Sequence, residues 1–265
     1  MRQLWTDNLI NGQTTYKLEP GQFGNFLIRY SGIAQAGKTV ALTDCGNVVF
    51  NIKGESKINV DVELLSQAAN LYGGYIEVSS VAGGAFAFSI VIPGGYWYDK
   101  KNVWNILDGL RAFFQLTYGN MNAALIVSGT VVIYGKPQAG IQSYYHKILS
   151  NPIVASGAAT LTNSISEQNI IALYVKDPTA LTDSLQITKD KILHFDGDTV
   201  SELVWSNWIH NLESASTLLA LEFAESGNIM EANSLSLGWQ YHFTAGGTLE
   251  QYYSSIQYVT AAMLK

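Results

Sequence analysis

Short runs of apolar, β-branched and aromatic residues, punctuated by Gly, Asn, Asp and Ser, recur along the chain and predict strands. They are Phe26–Tyr30, Val48–Ile52, Tyr75–Val78, Phe86–Ile92, Ala124–Val127 and Val131–Tyr134. Three stretches carry helical spacing instead. Asp61–Tyr72 places Leu64, Leu65, Ala68 and Leu71 on one face, with Gly73 after it. Asp99–Tyr118 places Val103, Leu107, Leu110 and Phe114 similarly, with Gly119 after it. Thr199–Leu212 opens with Thr199 and Glu202 at capping-box spacing and aligns Trp205, Trp208, Ile209 and Leu212. An apolar stripe of this kind serves core packing.

The pattern repeats. Ile28-Arg29-Tyr30 aligns with Ala172-Leu173-Tyr174, and Ala41-Leu42-Thr43-Asp44 with Ala180-Leu181-Thr182-Asp183. Phe50-Asn51-Ile52-Lys53-Gly54 aligns with Leu193-His194-Phe195-Asp196-Gly197, each glycine leading to a helix, and Ile76-Glu77-Val78 aligns with Leu221-Glu222-Phe223. These four landmarks keep their order at offsets of 139 to 145 residues. That period is too long for a solenoid unit and fits a small domain. The expected organisation is residues 1–136, a Gly/Ser/Asn-rich connector over 137–165, and a second similar domain over 166–265. Many short strands with Gly-rich turns predict an all-β fold with a few helices, built as two tandem jelly-roll sandwiches. Two packed sheets also limit exposed strand edges.

Composition narrows the functional classes. Of 265 residues, 48% are hydrophobic and only 14% are charged, which excludes intrinsic disorder and implies a neutral surface. The net charge of −6 argues against a surface that grips nucleic acid. The single cysteine, Cys45, permits neither an internal disulfide nor a cysteine metal cluster. The opening MRQLWTDNLINGQ lacks the apolar run of a signal peptide. Two uncharged stretches, Val78–Tyr98 and Ala112–Gly135, are interrupted by Gly, Pro or polar residues, so a soluble chain is expected.

Candidate chemistry is thin. Gly32-Ile33-Ala34-Gln35-Ala36-Gly37-Lys38-Thr39 satisfies the P-loop pattern. No helix of useful length fits before Gly46, so a surface loop is expected there. The histidines His146, His194, His210 and His242 show no helical metal-site spacing. His194 falls in a predicted strand and His210 on the polar side of a helix, where structural roles are expected. Glu77 and Glu222, with Glu225 nearby, read as exposed strand charges that sit in different repeats. Tyr96-Trp97-Tyr98 forms an aromatic loop suited to a sugar, a neighbouring subunit or its own sheet. No catalytic, cofactor-binding or metal-ligating residue is assigned, and no cofactor is expected.

The Ile28-Arg29-Tyr30-Ser31-Gly32 string, the Asp196-Gly197 turn before a predicted helix and the full-length duplication resemble the double jelly-roll major capsid proteins of tailless, membrane-containing icosahedral bacteriophages of the corticovirus type. The resemblance implies a non-enzymatic virion protein. It implies a homotrimer of pseudo-sixfold outline that tiles with neighbouring trimers over an internal lipid membrane. Vertex or other capsid proteins would be its partners, with no direct contact to nucleic acid. The first twenty residues hold only Arg2 and Lys17 against Asp7 and Glu19, in keeping with a shell that needs no basic arm. The rival reading is a carbohydrate-binding β-sandwich, a tandem lectin or a phage receptor-binding spike. A sandwich hydrolase ranks last for want of an acid–base pair.

Overall fold

A computed structural model describes residues 1–71, 77–95, 101–107, 111–164, 169–176, 182–189, 192–197, 218–222 and 237–260. The chain divides into two compact units, Met1–His146 with Tyr258–Lys265, and Lys147–Gln257. Unit 1 contains β1 (Arg2–Asn8), β2 (Gln13–Lys17), β3 (Gly21–Ala34), β4 (Asn47–Ile52) and β5 (Glu55–Asp61). Helix α1 (Val62–Leu71) follows, then β6 (Glu77–Ser80), β7 (Ala85–Pro93), β8 (Trp104–Ile106), β9 (Ala112–Thr117) and β10 (Ile126–Pro137). Strand β11 (Tyr144–Ser150) opens at the end of unit 1 and leads into unit 2. Unit 2 continues with β12 (Ile153–Ala155), β13 (Ala159–Ser164), β14 (Ile170–Lys176), β15 (Thr182–Lys189) and β16 (Ile192–Gly197). It ends with β17 (Leu218–Glu222), β18 (Leu237–Phe243), β19 (Gly247–Leu249) and β20 (Gln251–Tyr258).

In unit 1 one sheet runs β1-β10-β3-β7-β6, with β8 beside the start of β3, and the other runs β2-β9-β4-β5. Their inner faces meet at an aromatic cluster. Phe26 of β3 meets Phe50 of β4 and Phe114 of β9 edge-on, at centroid distances of 5.6 and 5.2 Å. Phe50 and Phe114 are direct cross-strand partners stacked at 4.4 Å, and Trp104 closes onto Phe50 at 4.9 Å. All four rings are fully buried. Such offset and T-shaped pairs add to the area they remove from water. In unit 2 the sheets run β17-β14-β20-β11 and β13-β18-β15-β16. There the buried Tyr241 of β18 donates its hydroxyl to Gln251 Oε1 of β20, joining the two layers.

The topology repeats strand for strand. The order β1-β10-β3-β7 corresponds to β11-β20-β14-β17, and β2-β9-β4-β5 to β13-β18-β15-β16. Tyr30 lies opposite Phe88 and Val131, and Tyr174 opposite Ala220 and Tyr252, so the two tyrosines hold the same place. Both are fully buried. The hairpins β4–β5 and β15–β16 share even their irregularity. Phe50 faces Ile58 and Asn51 faces Ser56, skipping Lys57; Ile187 faces Phe195 and Thr188 faces Leu193, skipping His194.

That register corrects two landmarks. Gly54 stands in the β4–β5 turn, where Lys53 and Gly54 both have positive φ (55° and 83°), as a tight hairpin turn requires. Gly197 instead ends β16. The two are not equivalent, because the whole of β5 separates Gly54 from α1. Glu77 and Glu222 are not equivalent either. Glu77 lies on β6, paired to β7, whereas Glu222 lies on β17, which pairs directly with β14 as β7 does with β3.

The predicted helix over Asp61–Tyr72 is present as α1, capped by Asp61, whose Oδ1 accepts from the Leu64 amide at 2.7 Å. The helix expected over Asp99–Tyr118 is not; that stretch carries β8 and β9. Ala112, Phe114 and Leu116 are buried while Phe113, Gln115 and Thr117 are half-buried, a period of two that wins over the helical spacing of its leucines. The expected break between Val127 and Val131 is also absent, since β10 runs through it. Ala124 and Leu125 belong to a turn held by Asn122, whose Oδ1 accepts from the Ala124 amide at 2.9 Å. The stretch 137–165, expected as a connector, carries β11, β12 and β13. Apolar and aromatic residues carry Tyr144–Ser150 and Ile153–Ala155, while Ala139, Gly140, Ser156 and Gly157 fall between the strands. The helix expected at Thr199–Leu212, Gly73 and the loop Tyr96-Trp97-Tyr98 lie outside the described residues.

Candidate assembly surfaces

The P-loop-like segment has no phosphate cradle. Gly32 lies inside β3 between β7 and β10, and a Cβ there would come within 2.2 Å of the Ser128 carbonyl oxygen. Gly37 takes φ +71° in a turn in which the Lys38 amide donates to the Gln35 carbonyl at 2.9 Å. Both glycines thus answer to backbone geometry. Lys38 is exposed, and only the short 3-10 turn Leu42–Cys45 precedes β4. No amides of a helix N-terminus converge on the lysine.

The carboxylate Glu77 is engaged on the outer face of the first sheet. Arg29, Ser89 and Glu77 stand in one cross-strand row over β3, β7 and β6. The Arg29 guanidinium lies 3.7 Å from Glu77, and the Ser89 hydroxyl donates to it at 3.1 Å. The next row, Thr130, Ser31, Ala87 and Ser79, is small and uncharged. Beyond it, Ile33, Val81 and Val127 are exposed. This face carries one ion pair, a small uncharged row and exposed apolar residues, suited to a protein neighbour.

Inside unit 1 the titratable groups are structural. Burial pushes the Cys45 thiol up, and the adjacent Asp44 adds to it, so the thiol stays protonated. Burial also raises the Tyr118 phenol, which donates to Asp7 Oδ2 at 2.8 Å. Tyr30 is raised in the same way, and its buried hydroxyl has no hydrogen-bond partner. His146 is held neutral by burial, its value lowered to about 3. His194 lies on β16 and His242 on β18, in different strands; His210 and Glu225 lie outside the described residues. Among the described residues no cluster of three or more His, Cys, Asp or Glu could hold a metal ion, and no helix is long and apolar enough to cross a membrane.

One charged site carries no signal in the sequence. Lys57, almost fully buried on β5, bridges to Glu55 Oε2 at 2.7 Å and sits 4.3 Å over the Tyr145 ring. A buried ammonium needs such a carboxylate and π face to offset its lost hydration. A lysine in an alternating strand reads as solvent-facing, and only the one-residue bulge at Lys57 turns it inward.

No family model and no curated protein matches the sequence. Solved structures do match over nearly the entire chain. The major capsid protein P2 from bacteriophage PM2 shares 13% identity at a TM-score of 0.68, covering 97% of this chain and 98% of that one. A chain in the atomic structure of Sulfolobus Turreted Icosahedral Virus shares 10% at 0.71, covering 99% and 94%. VP54 of PBCV-1, fitted into a reconstruction of the virophage Sputnik, shares 9% at 0.63, covering 96% and 92%.

The fold is a double jelly roll. Within it, the strand orders of each unit are those of an eight-stranded roll of two four-stranded sheets, and α1 sits at the crossing between them in the first roll. The double jelly roll also places the P-loop-like loop. It lies between β3 and β4, and the chain from Tyr30 to Phe50 is longer than its counterpart from Tyr174 to Ile187. The loop is an insertion in one roll of the pair.

Proposed function

We propose that this chain is a major capsid protein, a structural protein of the virion without catalytic activity. The observation that carries this reading is coverage. The match to the PM2 capsid protein runs through both rolls, over 97% of this chain and 98% of that one. A fold by itself hosts many functions, so the site chemistry has to agree. It does. The titratable groups of unit 1 are buried, paired or spread, the motif lysine faces solvent without a cradle, and the outer face of the first sheet is neutral.

The working form is a homotrimer in which two rolls per chain give six similar towers. Such trimers pack with their neighbours into an icosahedral shell above an internal lipid membrane, with vertex proteins as further partners. The net charge of −6 fits a shell that lipid separates from its genome. The test is light scattering or mass photometry of the recombinant chain over a concentration series. Three-chain particles that associate further are expected. A monomer at every concentration, with binding on a glycan array, would discard the capsid reading for a carbohydrate-binding sandwich.

A further inference from the structure

The net charge of −6 is unevenly placed along the chain. Unit 2 holds four Lys and Arg against twelve Asp and Glu, whereas unit 1 holds eleven against nine. The acidic excess therefore belongs to unit 2, and unit 1 is slightly cationic. Within unit 1 the charges are sorted again, by the ends of its strands.

At one end of unit 1, β2 and β4 finish and β5 and β9 begin. Beyond the last ladder pairs, the Leu18 amide donates to the Ala112 carbonyl and the Lys53 amide to the Arg111 carbonyl, both at 2.8 Å. These bonds set Lys53 beside Arg111, with Lys17 just inside them on the row of Phe113. In the facing sheet β1 starts and β10 finishes at the same end, which brings Arg2 within 4.0 Å of Glu19 and places Lys136 there as well. Arg2, Lys17, Lys53, Arg111 and Lys136 are all exposed. Among the described residues the carboxylates of this end are Glu19 and Glu55, bridged to Arg2 and Lys57. Lys53 even takes φ 55° at the hairpin tip, a conformation that Asn, Asp or Gly adopts more readily. The opposite end, where Asn47 pairs with Asp61, carries Asp7, Asp44, Asp61 and Glu63 against Lys38. The five cations are scattered between positions 2 and 136, so no basic run announces them.

We propose that this end of unit 1 rests on the anionic headgroups of a lipid bilayer, with Lys17, Lys53, Arg111 and Lys136 as the contact cations. A plane of headgroups meets one end of a molecule and leaves the rest in water. It attracts grouped Lys and Arg without asking for an exact pattern, and the pull fades within a Debye length, about 8 Å at physiological salt. The acidic excess of unit 2 is then no obstacle, and the acidic end of unit 1 helps to turn the cationic end toward the membrane. A nucleic acid running along the chain would meet that acidic excess and be repelled. The assignment rests on the capsid reading with its internal membrane and names the surface that meets the lipid.

The experiment is vesicle flotation of the purified full chain. Vesicles of phosphatidylcholine alone are compared with vesicles in which phosphatidylglycerol replaces part of it. Binding is expected to the anionic vesicles and not to the neutral ones, and it should be lost at ~1 M salt, where the Debye length is ~3 Å. The combined variant Lys17→Gln, Arg111→Gln and Lys136→Gln should bind about fivefold more weakly for each charge removed. The charge-keeping set Lys17→Arg, Arg111→Lys and Lys136→Arg should bind as the unaltered chain does, and so should Lys38→Gln at the other end. Equal binding to both kinds of vesicle, or anionic-vesicle binding that the Gln set leaves unchanged, would overturn the assignment. Binding of a DNA duplex in place of vesicles would overturn it in favour of nucleic acid. Native mass measurement on the same samples keeps the two readings apart. Trimers that ignore anionic vesicles would overturn the lipid contact and leave the capsid reading standing. Chains that bind anionic vesicles but stay monomeric would keep the lipid contact and overturn the capsid reading.

Discussion

Asn102 is a buried polar side chain of unit 1 whose removal gives a calculable outcome. It is almost fully buried and anchors the end of β7 to the segment that enters β11. Its amide nitrogen donates to the Gly94 carbonyl and, at 3.1 Å, to the Tyr144 carbonyl. Its Oδ1 accepts from the amides of Ser143 at 2.7 Å and Tyr144 at 3.4 Å. Asn102→Ala removes the side-chain partner of these backbone groups. Ser143 is exposed, so its amide rehydrates, whereas Gly94 and Tyr144 are buried. At about 1–3 kcal/mol for each buried carbonyl that loses this donor, the two give a loss of about 2–6 kcal/mol. Unfolding entropy of about 2.1 cal/mol/K per residue turns this into a Tm drop of roughly 4–11 °C if all 265 residues unfold together. Unit 1 melting by itself would raise the shift roughly 1.7-fold. Calorimetry of the variant beside Thr130→Ala, an exposed strand position expected to move by less than about 0.5 kcal/mol, makes the comparison. A loss below about 1 kcal/mol for Asn102→Ala would refute the reasoning.

Three further outcomes follow from buried groups and from the motif lysine. Tyr30→Phe deletes a buried hydroxyl that has no partner, so urea unfolding should show equal or higher stability, by up to about 1 kcal/mol; a loss above that would mean the hydroxyl is bonded. His146 binds a proton only near pH 3 when folded but near 6.5 when unfolded, so between those values the unfolded chain holds the extra proton and stability falls with falling pH. The deficit reaches about 2–3 kcal/mol at about pH 4.5, measured by urea unfolding, and His146→Gln should remove that part of the pH slope. Lys38→Ala should leave assembly unchanged, and calorimetry with ATP and magnesium should give no heat in either form; saturable binding lost in the variant would restore a nucleotide site.

The strand content was legible wherever the period was clean. Phe26–Tyr30 and Phe86–Ile92 alternate and lie within β3 and β7. The stretch at 99–118 misled because an alternating strand with leucines nearby satisfies a helical template over a short window, and periodicity does not rank the two. The duplication was legible at Tyr30 and Tyr174, where burial in the same sheet position preserves a residue type. It was misaligned at Gly54, because the hairpin between β4 and the helix spends its similarity on backbone register, which different residues satisfy. Lys57 stayed hidden for the same reason: nothing in the string Glu55-Ser56-Lys57-Ile58 announces a bulge. The missing helix after the P-loop pattern, by contrast, was legible in the sequence, and the strand position of Gly32 supplies another reason for its being glycine.

Cryo-electron microscopy of the purified, assembled protein tests the central claim most directly. Particles of hexagonal outline built from three chains are expected, each chain showing two eight-stranded rolls with β3 and β14 in equivalent places. Discrete monomers, or an assembly whose six towers come from six chains, would contradict it.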